Sequence, residues 1–136
     1  MRARFLAAVA LAVAGLVTIS CGGIIDPSQN IVEPFSGTVG VGGSFGPIKF
    51  SASKTGEFII KLTALAPTTG IVLGMDMAQG NSDGSCTSVL IQRSTFATLN
   101  VQALGGQIFS GKYCIVVYDV GALTAATTFT LTVSHP

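Results

Sequence analysis

The side chains with the most definite chemistry in this sequence are its three cysteines, Cys21, Cys86 and Cys114. Cys86 and Cys114 lie 28 positions apart, one at the start of a predicted strand and one within a strand. The chain has no C-x-x-C motif and a single histidine, His135, which leaves a metal site short of ligands. A bridge closing a loop of this size would stabilise the fold by about 3–4 kcal/mol in the chain-entropy model. We therefore predict a structural Cys86–Cys114 disulfide, with metal binding or redox use as weaker alternatives.

Cys21 ends a segment with the layout of a bacterial secretion signal. Arg2 and Arg4 precede an uncharged stretch of 15 residues, Phe5–Ile19, and Ser20 leads into Cys21. A membrane-spanning helix needs about 20 apolar residues, so this stretch is too short for a span and has the length of a signal-peptide core. Later apolar segments are interrupted by Gly, Thr and Asp, so the sequence predicts no second transmembrane segment.

Thr18-Ile19-Ser20-Cys21 resembles the lipobox of bacterial lipoproteins, and two glycines follow the cysteine as expected. The resemblance implies that the Cys21 thiol carries a diacylglyceryl group, that the peptide is cut before it, and that the new amino terminus is acylated, as with palmitate. Gly22 stands where an Asp typically retains lipoproteins at an inner membrane, so the resemblance points to the outer membrane or the cell surface. In the alternative, an ordinary signal peptidase cuts at Thr18-x-Ser20 and leaves Cys21 as a free thiol.

The domain organisation follows from this lipoprotein interpretation. Residues 1–20 are the predicted signal peptide, and residues 21–34 are a tether with Gly, Pro, Ser, Gln and Asn in no periodic order. Residues 35–136 form the predicted domain. If Cys21 carries lipid, the other two cysteines remain as an even pair in an oxidising compartment.

Gly80-Asn81-Ser82-Asp83-Gly84 matches the G-x-S-x-G pattern of esterases, and Asp119 and His135 follow in the Ser, Asp, His order of that class. That motif requires a strand, a sharp elbow and a helix, and this chain has no convincing helical segment. Asn, Asp and Gly together are typical of a polar turn. We therefore predict a turn here, no catalytic residue, and a hydrolase only as the weakest alternative.

Asp76, Asn81, Asp83 and Asp119 carry oxygen atoms of the kind that Ca²⁺ prefers. No D-x-D-x-D-G loop is present to hold them in one site. Asp83-Gly84 is typical of a hairpin turn, and Asp119 is expected to cap the turn that ends its strand. Calcium binding at Asp76, Asp83 and Asp119 is thus a weak hypothesis, and no cofactor is predicted.

The elements that position these residues are predicted to be β-strands. From Phe35 onward, short runs rich in Val, Ile, Thr and Phe alternate with glycine clusters, which is the signature of an all-β sandwich or barrel. We predict a single antiparallel sandwich, of jelly-roll type, with about seven or eight strands. The candidate strands are Phe35–Val41, Pro47–Ala52, Glu57–Leu65, Ile71–Met77, Cys86–Gln92, Thr95–Leu104, Lys112–Val120 and Thr127–Ser134.

Charge and aromatic content narrow the function. The whole chain has seven Lys and Arg against six Asp and Glu, which is too balanced for the basic stripe that nucleic acid requires. The same balance of basic and acidic residues also argues against a polybasic patch that would bind a membrane. The chain has no Trp and two Tyr, so the flat platforms of sugar-binding sites are scarce, although Phe45, Phe96 and Phe109 could be partly exposed.

The domain resembles the pre-peptidase C-terminal (PPC-like) β-sandwich family. The similarity lies in Phe35-Ser36-Gly37-Thr38-Val39, Phe50-x-x-Ser53-x-x-Gly56, Leu62-Thr63-x-Leu65, Gly111–Asp119 and Phe129–Val133. Members are usually accessory modules of secreted proteins, and some bind polysaccharide or calcium. The sequence thus predicts a non-enzymatic, membrane-anchored lipoprotein that acts as a binding or structural module, with polysaccharide or an envelope protein as the expected partner. A carbohydrate- or calcium-binding accessory module is the alternative.

Overall fold

A computed structural model of the chain describes residues 27–136. The predicted signal peptide and residues 21–26 of the predicted tether, with Cys21, therefore lie outside the described residues. The described part contains a short 3-10 turn and eight β-strands. The turn is Pro27–Gln29, and the strands are β1 Ile31–Val39, β2 Ser44–Ala52, β3 Gly56–Ala66, β4 Leu73–Gly80, β5 Cys86–Ala97, β6 Gln102–Ile108, β7 Gly111–Asp119 and β8 Thr127–His135. No helix within residues 27–136 is long and apolar enough to cross a bilayer.

The strands form two four-stranded antiparallel sheets. One sheet has the order β1-β8-β3-β6, which we call sheet A, and the other has the order β2-β7-β4-β5, which we call sheet B. Within the described chain, the β4–β5 connection alone stays within one sheet, because every other connection crosses to the opposite sheet. This connectivity is that of an eight-stranded jelly roll. The predicted all-β sandwich of antiparallel strands is confirmed.

The core lies between the sheets and follows from period-2 alternation. In β8, Phe129, Leu131 and Val133 are buried, while the threonines between them are only partly buried. Met75 and Met77 of β4 are fully buried in the same core. Side chains of a strand point alternately to its two faces, so each sheet buries one row of apolar residues and turns its other row outward.

Several predicted strand boundaries differ from the structure, and two of the differences change the number or extent of the elements. Cys86–Gln92 and Thr95–Leu104 were expected to be separate strands, but β5 runs without a break from Cys86 to Ala97, since Gln92, Arg93 and Ser94 continue the pairing with β4. The chain turns later, at Asn100, which has a φ of 62°. The tether was expected to end at residue 34, but β1 begins at Ile31, which pairs with the end of β8.

The two ends of the sandwich carry different sets of loops. The "entry end", where the described chain begins, carries residue 30, the loops 53–55, 81–85 and 109–110, and residue 136. The "far end" carries the loops 40–43, 67–72, 98–101 and 120–126.

Candidate functional site

The outer face of sheet B contains a pocket of about 280 Å³ that brings together several residues singled out above. Both cysteines of the predicted disulfide and Asp76 lie in its lining. The remaining lining residues are Pro47, Ala78, Thr87, Ser88, Leu90, Arg93 and Val116. A larger depression of about 390 Å³ lies on sheet A, but Ser, Thr, Ala and Gly dominate its lining and no charged side chain contributes to it. We therefore regard the sheet B pocket as the candidate site.

The disulfide bridge forms one part of this pocket. Cys86 and Cys114 are bonded, with their Cα atoms 6.0 Å apart, so the predicted disulfide is confirmed. Cys86 pairs with Gly80 and Cys114 with Ala78, on opposite sides of β4, so the bridge spans a strand that carries only small residues there. Cys114 is 3% exposed.

A large bulge in β5 makes the bridge possible. Between Ala78 and Gly80 of β4, the partner strand advances from Leu90 to Cys86, so four residue steps of β5 face two of β4. The Thr87 hydroxyl donates a hydrogen bond to the Gln79 carbonyl at 2.7 Å and holds the bulge on β4. Extra residues on one strand bend it locally and redirect its side chains. The bulge thus brings Cys86 back towards β7.

A charged cluster lies on the other side of the pocket. Arg93 donates from Nε to Oδ1 of Asp76 at 2.8 Å and from Nη2 to Oδ2 at 2.6 Å. The Tyr118 hydroxyl donates to Oδ1 of Asp76 at 3.3 Å. Bidentate pairing of guanidinium and carboxylate is among the stronger polar contacts in proteins. The hydrogen bond from Arg93 lowers the pKa of Asp76, and burial, followed by the Asp76 charge, raises the pKa of Tyr118.

These pKa directions limit what the cluster can do. Proton transfer near neutral pH is most efficient for a group with a pKa near 7. The pKa of Asp76 is lowered, further below that range, and the pKa of Tyr118 is raised, further above it. Asp76 is therefore suited to hold Arg93 in the pocket lining, with Tyr118 supporting Asp76 from beside the pocket, and both groups are poorly suited to act as a general acid or base.

Sequence reasoning singled out Asp76 but missed its partners. Arg93 is the only arginine after Arg4, and a lone arginine inside a strand is a usable signal for a buried or paired carboxylate. Tyr118 lies over Gly74, where a Cβ atom would overlap the tyrosine ring. That close approach explains why a glycine stands in the middle of a sheet.

Asp83 and Asp119 lie outside this pocket, and each accepts hydrogen bonds within the turn that contains it. Oδ1 of Asp83 accepts hydrogen bonds from the backbone and the hydroxyl of Ser85, at 2.8 and 2.7 Å. At the far end, Oδ1 of Asp119 accepts from three successive amides, and Oδ2 accepts from the amide of Gly42 at 2.8 Å. The hydrogen bond from Ser85 lowers the pKa of Asp83, and the one from Gly42 lowers the pKa of Asp119.

The weak candidates for calcium ligands, Asp76, Asp83 and Asp119, do not lie in one cluster in the structure. Asp76 pairs with Arg93, Asp83 closes the β4–β5 turn, and Asp119 lies at the far end. Among residues 27–136, no three His, Cys, Asp or Glu side chains form a group that could hold a metal ion.

Ser82, Asp119 and His135 are not assembled either. Residues 81–85 form the predicted polar turn, and Lys112 donates to the Ser82 carbonyl at 2.6 Å. Lys112 and Asp119 stand at opposite ends of β7, roughly 23 Å apart at about 3.3 Å per residue. His135 is 2% exposed, and its Nε2 lies 3.6 Å from the carboxylate of Glu33 on the neighbouring strand β1.

No protein-family model and no curated protein matches the sequence. Among solved structures, the chain is similar to a mitogen derived from Yersinia pseudotuberculosis, with a TM-score of 0.50 and 9% identity over 79% of this chain and 87% of that one. It is also similar to a chain of infectious bursal disease virus, strain Gt, with a TM-score of 0.31 and 17% identity. That match covers 79% of this chain but 33% of the viral chain, so the chain spans about a third of its length. At this identity, the likeness to the mitogen concerns the fold alone.

Proposed function

We propose that this protein is an exported lipoprotein, held at the outer membrane or cell surface by an acylated Cys21, whose jelly-roll domain acts as a non-enzymatic binding or structural module. The observation that carries the proposal is the use of the cysteines. Cys86 and Cys114 are joined in a disulfide, which is typical of an exported protein. The third cysteine follows the predicted signal sequence, at the position where lipid attachment is expected.

The geometry of sheet B supports a binding role for the domain. The pocket combines apolar side chains such as Leu90 and Val116 with a fixed ion pair, and a disulfide braces its lining. Ligand sites commonly combine an apolar lining with a few fixed polar groups. A polysaccharide or the surface of an envelope protein is the expected partner.

Two features support the non-enzymatic part of the proposal. The G-x-S-x-G segment at residues 80–84 is a turn that Lys112 holds at one end of β7, whereas Asp119 stands at the other end of that strand. The pKa values of Asp76 and Tyr118 are shifted away from neutrality. Turnover on a panel of esters, glycans and peptides that is lost in Ser82→Ala would contradict this part.

The intact mass of the protein extracted from membranes tests the anchor. We expect the mass of residues 21–136 plus acyl groups, increasing by two hydrogens on reduction of the disulfide. Cys21→Ser is expected to lose the acyl mass and leave the membrane fraction, whereas Cys86→Ser with Cys114→Ser should stay membrane-bound and lose only the response to reductant. An unacylated wild-type mass would overturn the proposal and leave a secreted domain with a free thiol.

A further inference from the structure

The described chain enters the sandwich at one end and is fixed there. Nδ2 of Asn30 donates to the Glu57 carbonyl at 2.9 Å and to the Ser134 hydroxyl at 3.2 Å. Ile31 then pairs with His135 at the start of β1. The position of the chain at the entry end is therefore set by the domain itself.

The short sequence between Cys21 and the domain limits how far the domain can stand from an anchor. Six residue steps separate Cys21 from Pro27, and at most about 3.6 Å per step gives a reach of about 22 Å. From Gly111 to Asp119, β7 spans eight residue steps, or about 26 Å at about 3.3 Å per step. The entry end is thus within reach of the anchor, while the far end lies about a strand length beyond it.

Large apolar side chains are exposed at both ends of the sandwich, and the reach of the anchor selects those at the entry end. Phe109, in the β6–β7 turn, is 69% exposed, and Ile31 and Val32 of β1 are also exposed. β1 and β6 are the two edges of sheet A, three strand spacings apart, or about 14 Å. The exposed charges at this end are Lys54, Glu57, Asp83 and Lys112, two of each sign, so apolar contact would exceed electrostatic attraction here.

We propose that the entry end rests on the lipid bilayer, with Phe109 at the level of the lipid headgroups. This inference rests on the proposed lipid anchor at Cys21. Exposed aromatic and aliphatic side chains bind the interface between headgroups and acyl chains by burying apolar area. The anchor then supplies most of the affinity, and Phe109 fixes the orientation that points the far end away from the membrane.

The chain offers a matched pair for a fluorescence test, because it contains no tryptophan and has a second exposed phenylalanine at the other end. Phe96, near the end of β5, is 73% exposed. Phe109→Trp and Phe96→Trp would be prepared as full-length acylated protein in vesicles of phosphatidylethanolamine and phosphatidylglycerol. Neither side chain is packed in the core, so both variants should fold.

For Phe109→Trp we expect a blue-shifted emission in the vesicles and about twofold quenching by lipids brominated near the headgroup. For Phe96→Trp we expect neither change. Equal quenching of the two variants, or no quenching of Phe109→Trp in protein whose acylation is verified by mass, would overturn the inference. If the mass shows no acyl group, the proposed function fails by itself. The same variants coupled through Cys21 to a maleimide lipid then test the orientation under the same two criteria.

Discussion

Opening the Cys86–Cys114 bridge is expected to cost the domain about 3.6 kcal/mol of its free energy of unfolding. The bridge closes a loop with a sequence separation of 28. The chain-entropy relation gives about 12 cal/mol/K for such a loop, or about 3.6 kcal/mol at 25 °C. For a domain of this size, each kcal/mol lowers the melting temperature by about 4 °C, so the expected decrease is about 15 °C.

Two ways of opening the disulfide distinguish the stability that comes from loop entropy from the stability that comes from packing of the sulfur atoms. Reduction of the wild-type protein keeps both sulfur atoms, whereas Cys86→Ala with Cys114→Ala removes them. Because Cys114 is buried, the double variant should lose slightly more than the reduced protein. Urea unfolding of each form would be measured in a Cys21→Ser background, which prevents exchange with the third thiol.

A small effect of reduction would refute the loop-entropy origin of this stability. If reduction lowered the free energy of unfolding by less than about 1 kcal/mol, the open loop would already be restricted in the unfolded chain. The stabilisation would then come from the packing of the sulfur atoms against β4, and only the alanine variant would show a large effect.

Three further predictions concern the charged groups and the tight approaches. In the folded protein the pKa of Asp76 is lowered, so the ionised carboxylate stabilises the fold at pH values above its ordinary pKa of about 3.9. That stabilisation is lost as the pH falls through the pKa of Asp76 in the folded protein. Arg93→Gln should raise this folded-state pKa, as measured by NMR titration. Asp119→Asn keeps Oδ1 and should speed hydrogen exchange mainly at the Gly42 amide, whereas Asp119→Ala should also speed it at the three amides after residue 120. Gly74→Ala should destabilise the domain by roughly 1–3 kcal/mol in thermal unfolding, because the added carbon overlaps a tyrosine ring; an unchanged melting temperature would contradict the packing described for that face.

Much of the fold is predictable from alternation along the strands. The pattern of Phe129, Leu131 and Val133 against threonines identifies β8 as a strand with one buried face, and the structure agrees. The predicted disulfide also holds, because Cys86 and Cys114 are the only cysteines of the domain. These predictions depend on the alternation of apolar residues along a strand and on the number of cysteines, and a single sequence supplies both.

The site was less predictable because it depends on strand register. Asp76 and Arg93 are 17 positions apart and face each other only after a shift in register between β4 and β5. Bulges change which residues are opposite each other, and the sequence does not mark them clearly. The glycine-rich turn after β1 shows the same limit. Its residues predict a turn, but not that the strands on its two sides belong to different sheets.

Because the chain has few charged residues, each carboxylate stood out in the sequence and suggested a functional site of its own. Asp76, Asp83 and Asp119 were each a candidate ligand or catalytic group in the sequence, and each is occupied by hydrogen bonds that fix a strand pair or a loop. In a domain with few charges, a carboxylate finds its donors close by, and the backbone amides of turns are the commonest donors available. In such a domain, recognition of a partner has to come from shape and apolar contact with a few fixed polar groups. The pocket on sheet B has that composition, and the exposed aliphatic and aromatic residues at the entry end extend the same chemistry to the membrane that we propose lies beneath it.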